Sequence, residues 1–120
     1  MRISFAFHGH QIAATLEANP AARELLTMLP LDLAIEDYST NEKIAYLPQK
    51  LTDRSAEPFA AEAPGDLCYY APWGNLVLYY DRYRYAPGLI RLGRLHDWAA
   101  PLKTRGRHAL RVEILAQAPF

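Results

Sequence analysis

Asp66-Leu67-Cys68-Tyr69-Tyr70-Ala71-Pro72-Trp73-Gly74-Asn75-Leu76-Val77-Leu78-Tyr79-Tyr80 is the stretch on which the fold turns. Two apolar runs, short and rich in strand-forming side chains, flank Ala-Pro-Trp-Gly-Asn. Pro72 fixes φ and Gly74 permits φ > 0, which is the chemistry of a tight turn. An ordinary hairpin connection does not need a tryptophan. A large amphipathic ring set between a Pro and a Gly implies a backbone shaped to present it, so Trp73 is expected to be partly exposed.

Toward the N-terminus, Ile3, Phe5 and Phe7 fall on one face, and Ile12, Ala14 and Leu16 alternate in a second run. His8-Gly9-His10 supplies the turn between them, so residues 2 to 17 read as a hairpin. Asn19 is a suitable N-cap and Pro20 suits the first helical position, while Ala22, Leu25, Leu26 and Leu29 recur at helical spacing. The predicted helix runs from Pro20 to about Leu29, because the residue before Pro30 avoids the α region. Leu31, Leu33 and Ile35 then alternate with Asp32, Ala34 and Glu36 in a half-buried strand that ends at Ser39-Thr40-Asn41. A shorter extended piece spans Ile44 to Leu47, and Thr52 to Gly65 reads as a surface loop. Further strands are expected at 67 to 71, 75 to 80, 89 to 95 and 108 to 116.

Six or more short strands with one helix cannot leave long open edges without inviting aggregation. The economical architecture is a mainly β, compact and closed barrel within a single domain, residues 1 to 120. A barrel of this size fills its own interior with Leu, Ile, Val and Phe. A ligand site therefore belongs in a groove on the wall or among the loops. The helix is expected at a barrel end, closing it with Leu25, Leu26 and Leu29.

Composition excludes several functions. Lys plus Arg and Asp plus Glu number 13 each, so no global field draws the chain to nucleic acid or to an anionic membrane. Arg interleaved with Tyr over residues 79 to 85 is a stacking pattern, but on a neutral protein it reads as a solvated strand end. Cys68, the single cysteine, forms no internal disulfide and reads as an inert packed thiol, which fits a cytoplasmic address. The N-terminal residues lack the apolar core of a signal peptide, and no run is long enough for a membrane-spanning helix. Of the four histidines only His8-x-His10 has a local ligand spacing, without a third ligand nearby, so no metal is expected. Ser4, Ser39 and Ser55 lack the Gly-x-Ser-x-Gly context of a hydrolase, and no Gly-rich phosphate loop or other cofactor motif occurs.

Several stretches carry a resemblance, in order, over most of residues 3 to 95. They are Asn19-Pro20-Ala21-Ala22-Arg23, Leu29-Pro30-Leu31, Glu36-Asp37-Tyr38 and Asn41 to Pro48, followed by Gly65-Asp66, Tyr69 to Asn75 and Gly88 to Gly93. Together they resemble the small bacterial and archaeal cyclophilin-like family. The resemblance implies a cyclophilin-type β-barrel that closes at the strand near 108 to 116. True cyclophilins isomerise X-Pro bonds with an Arg, on the strand after the first helix, that donates to the prolyl nitrogen beside an apolar pocket. Here no Arg occurs between Arg23 and Arg54, and the Gln-Phe-Phe strand expected near Asn75-Leu76-Val77-Leu78 has neither Gln nor Phe. No catalytic residue is therefore assigned.

The candidate contact surface comprises Glu42, Lys43 and Tyr46 with Tyr69, Tyr70, Pro72, Trp73 and Asn75. Aromatic side chains in a barrel commonly pack its core, and Glu-Lys neighbours are commonly solvated. Against that, Trp and Tyr beside Pro and Gly are the anchors favoured by interfaces and peptide grooves. The expected function is a binding domain for a peptide or small molecule, without catalysis and without a nucleic-acid or membrane partner. The alternatives are a prolyl isomerase with a rearranged site and a self-associating module, for example a homodimer.

Overall fold

The computed structural model describes residues 1–52 and 57–115. Eight strands and two helices follow in the order β1 (Arg2–Phe7), β2 (His10–Leu16), α1 (Pro20–Met28), β3 (Leu31–Tyr38), β4 (Glu42–Tyr46), β5 (Asp66–Tyr70), β6 (Asn75–Tyr79), β7 (Leu89–Leu95), α2 (Ala99–Leu102) and β8 (His108–Ile114). The strands form a closed antiparallel barrel in the order β1-β2-β7-β5-β6-β4-β3-β8, with β8 pairing back onto β1. Closure leaves no strand edge without a neighbour, as the sequence pattern demands.

Inside, Ile3, Phe5, Ile12, Leu67, Tyr69 and Leu76 are fully buried within one continuous apolar cluster. Period-two alternation puts these residues on the inner face of their strands. Gly93 lets β7 lie against β2, since a Cβ there would stand 2.1 Å from the Thr15 carbonyl oxygen. The Asn19 side chain caps α1 by accepting from the Ala22 N–H at 2.8 Å, and it donates to the Arg91 carbonyl at 3.0 Å. One residue thereby ends the loop, starts the helix and ties it to β7.

The leucine stripe of α1 is redistributed relative to expectation. Ala21, Ala22 and Leu25 are its buried residues, whereas Leu26 and Leu29 are only partly buried against the core. A helix can touch the inward side chains of a closed barrel only from an open end, so Leu25 is the main plug. The helix also stops at Met28, one residue short of the predicted end. Further differences affect the strands. β4 begins at Glu42 instead of Ile44, which brings Glu42 and Lys43 into the sheet, and β8 ends at Ile114. Position 116 of the expected last strand, and positions 53–56 of the expected surface loop, lie outside the described residues. α2 was not legible in the sequence, being a single turn that buries Leu102.

A second, smaller apolar cluster covers the outer face of β5, β6 and β7. It consists of Cys68, Val77, Tyr79 and Leu89, with Tyr70, Tyr83, Tyr85 and Phe59 packed over them. Tyr79 and Tyr83 stack face to face with ring centroids 3.6 Å apart. Two rings of the Arg-Tyr stretch are thus engaged within the protein. Tyr83 Oη also donates to Asp66 Oδ2 at 2.6 Å and lies 3.7 Å from Cys68 Sγ. Burial pushes the Cys68 thiol up to about 12, which makes it a packed side chain and not a nucleophile at neutral pH.

Candidate functional site

The 71–75 turn is anchored at both flanks. The N–H groups of Trp73 and Gly74 both donate to the Tyr70 carbonyl, the Ala71 N–H donates to Gly88, and the Leu47 N–H donates to the Gly74 carbonyl. Gly74 has φ of 75°, which the turn requires and other residues rarely adopt. With its backbone fixed and its neighbours small, the Trp73 side chain projects outward and is 44% exposed. Its ring meets Tyr38 and Tyr70 nearly at right angles, with centroids 5.3 and 5.4 Å away and interplanar angles of 80° in both cases.

These rings wall a cleft of about 210 Å³ on the outside of the barrel. Tyr79 completes the aromatic lining, and Val77, Ala86 and Leu89 supply the apolar remainder. Besides the tyrosines, two polar side chains, Glu42 and Asn75, line it, and no Lys, Arg or His does. Strand register explains the grouping. Tyr38, Glu42 and Tyr79 are successive register partners across β3, β4 and β6, while Asn75 lies between Tyr46 and Tyr70.

The two polar groups are unusual in having too few partners. Asn75 is 1% exposed, its Nδ2 donates to the Leu76 carbonyl at 3.2 Å, and its Oδ1 accepts nothing. The Glu42 carboxyl makes no hydrogen bond or ion pair among the described residues. Burial without a compensating donor pushes its carboxyl up from 4.5 to about 7. The buried Asp66 and the half-buried Asp37 are treated differently. Asp66 accepts from Tyr83, Arg94 and the Ala63 N–H, and Asp37 accepts from Lys43 and the Gly106 N–H.

Of the residues singled out in the sequence, the cleft unites Glu42, Tyr70, Trp73 and Asn75. Tyr46 shares the outer face and is 49% exposed, but it is not one of the walls. Pro72 lies exposed in the turn, and its ring would meet a Cβ at Gly88 at 2.7 Å. Lys43 and Tyr69 point the other way. Lys43 is fully buried with Nζ 2.6 Å from Asp37 Oδ1, and Tyr69 is a core residue whose Oη accepts from the Leu51 N–H at 3.0 Å. Tyr38 was missed, although two more steps of the β3 alternation place it outward across from Glu42. Elsewhere, the β1–β2 turn brings the His8 ring within 4.3 Å of His108, a proximity that the sequence did not reveal. Among the described residues no group of three His, Cys, Asp or Glu side chains is arranged to hold a metal ion.

The model of the cyclophilin-like family matches residues 5–114. The chain belongs to the cyclophilin-like family. A solved relative of this cyclophilin-like chain in fold is the solution structure of a hypothetical protein from Archaeoglobus fulgidus. It has 15% sequence identity, a TM-score of 0.70, and coverage of 96% of this chain and 95% of that one. At that identity the likeness concerns the fold alone. A search of curated proteins gave no match. No helix among the described residues of this cyclophilin-like chain is long and apolar enough to cross a membrane.

The exposure of Trp73 carries a prediction. With Trp98 replaced by Phe, acrylamide should quench the remaining indole readily. Trp73→Ala should cost about 1 kcal/mol, against about 3–5 kcal/mol for a buried tryptophan. Shielded emission together with a core-sized loss in denaturant melts would place the ring inside the protein.

Proposed function

We propose that this cyclophilin-like chain is a binding domain that holds a peptide or small molecule in the Trp73 cleft without transforming it. The observation that supports this reading is the cleft itself. Trp73 on its fixed turn and Tyr38 beside it stand open to solvent, next to polar atoms that the fold leaves without partners. A folding role does not account for such a group, since an aromatic residue packed for stability would be covered and a buried amide oxygen would be paired. Isomerase chemistry has less support. β3 carries no Arg, and no cationic side chain enters the cleft to donate to a prolyl nitrogen.

Backbone amide shifts recorded against a panel of extended peptides and small organic molecules test the reading. The expected result is a set of shifts at Tyr70, Trp73 and Gly74 that disappears in Trp73→Ala while the rest of the spectrum is unchanged. The same samples should give no rate enhancement in a prolyl-peptide isomerisation assay. Acceleration abolished by Trp73→Ala would make the chain an enzyme. Concentration-dependent dimerisation abolished by the same substitution would make the surface a self-association face.

A further inference from the structure

We propose that the Trp73 cleft recognises an organic cation bearing N–H donors, a primary ammonium or guanidinium group of the kind that ends a Lys or Arg side chain. The inference rests on the binding reading above and names the chemistry of the occupant. Three independent features of the cleft converge on it. First, the aromatic walls Tyr38, Tyr70 and Trp73 offer π systems, which attract cations over a short range. Second, the Glu42 carboxylate enters a partly desolvated space that no Lys, Arg or His of the protein shares, and among the described residues no side chain hydrogen-bonds to it. Third, the Asn75 amide is oriented by the Leu76 carbonyl, which accepts from Nδ2 and so leaves Oδ1 as an unused acceptor. The two unpaired polar atoms of the wall, the Glu42 carboxyl and Asn75 Oδ1, are therefore both hydrogen-bond acceptors. A ligand that satisfies both must donate, and a ligand that stabilises the carboxylate must be positive. An anion would face Glu42 with nothing to offset it, and a purely apolar ligand would leave both acceptors buried and unpaired.

The protonation state of Glu42 supplies an independent readout. The groups facing it are the tyrosines Tyr38 on β3, Tyr70 on β5 and Tyr79 on β6, with no Lys, Arg or His among them. Its carboxyl lies near 7 in the folded chain, above its ordinary value of 4.5, so the unliganded protein loses stability as pH rises through this window. A bound cation reverses the sign by favouring the ionised form. Cation affinity should accordingly rise between pH 6 and pH 8, as the carboxylate forms.

The test titrates the Trp98→Phe protein, through Trp73 emission and amide shifts, with four probes: n-butylguanidinium, n-butylammonium, tetramethylammonium and neutral n-butylurea. The two N–H cations should bind at least about tenfold more tightly than butylurea and tetramethylammonium at pH 8, a preference of about one decade. Glu42→Gln should remove that preference. The same variant should unfold at an equal or higher temperature than the parent at pH 8, because an unpaired carboxylate has been neutralised. Equal binding of butylurea, or cation binding unchanged in Glu42→Gln, would overturn the cation assignment and leave the binding reading standing. A lowered unfolding temperature in Glu42→Gln would show that the carboxylate already has a partner, and would overturn the assignment as well. Absence of any response at Trp73 to these probes and to the peptide panel would remove both.

Discussion

Asp37→Ala should destabilise the protein by about 3 kcal/mol, the cost of leaving the fully buried Lys43 ammonium without its half-buried partner. Asp37, Lys43 and Leu78 are successive register partners across β3, β4 and β6, and they share the inward face with Ile35 and Ala45. Lys43 has no exposed side-chain surface, so without Asp37 its ammonium is left in the barrel with no counter-charge. The Gly106 N–H, which donates to Asp37 Oδ2 at 2.8 Å, lies at the surface and turns to solvent on the same deletion, so the buried ammonium carries the cost. Asp37→Ala combined with Lys43→Met should recover most of the loss, since the charge that makes the single variant costly is gone. Urea melts of the two variants check this, and a single-variant loss below about 1 kcal/mol would show the pair to be dispensable. The pH dependence has a fixed sign. Burial by itself would raise the Asp37 carboxyl, but the Lys43 hydrogen bond, the Gly106 N–H and the charges of Lys43 and Arg105 together hold it below 3.8. A depressed carboxyl stabilises the fold above its ordinary value, and the contribution is lost as pH falls through the folded value. Acid unfolding below about pH 4 should be steeper for the parent protein than for the double variant.

Leu25→Ala should cost about 2–5 kcal/mol, while Leu26→Ala, one residue along the same helix, should cost about 1 kcal/mol. Leu and Ala are both strong helix formers, so the contrast reports packing and not helix propensity. Leu25 is fully buried in the barrel cluster, whereas Leu26 lies at its margin. Paired chemical-denaturation curves with unchanged slopes would establish the difference. Equal losses would mean that the stripe acts as a unit and that Leu25 is not the plug.

Alternation makes most of the strands legible in the sequence alone. Ile3, Phe5 and Phe7 on one side and Leu31, Leu33 and Ile35 on another need only the two-residue period of an extended chain. Asn19-Pro20 likewise announced α1 through local chemistry. What stayed hidden depended on phase and on distant neighbours. Glu42 and Lys43 looked like one solvated pair, yet adjacent strand positions face opposite ways, so one enters the outer cleft and the other enters the barrel. Deciding which goes where needs the start of β4, and Asn41-Glu42-Lys43 contains no apolar residue to mark it. Tyr69 and Tyr70 divided in the same way, into a core hydroxyl bonded to Leu51 and a wall of the cleft. α2 is too short to show a period. The unpaired state of Asn75 Oδ1 is a property of three-dimensional packing that no sequence pattern encodes.

The closure of the barrel also has a kinetic side. Ile3 is the register partner of Ile114, and β8 lies between β1 and β3. Until β8 has been synthesised, both of those strands present an unpaired row of N–H and C=O groups on adjacent open edges. No amount of early local structure can cover them, because the covering strand is the last of the eight to emerge. Topologies dominated by such distant pairings fold in about milliseconds to seconds, well behind helical proteins of equal stability. The nascent barrel is therefore at its most adhesive just before β8 emerges, and the same contact that makes the folded barrel edgeless is the one that leaves its precursor exposed the longest.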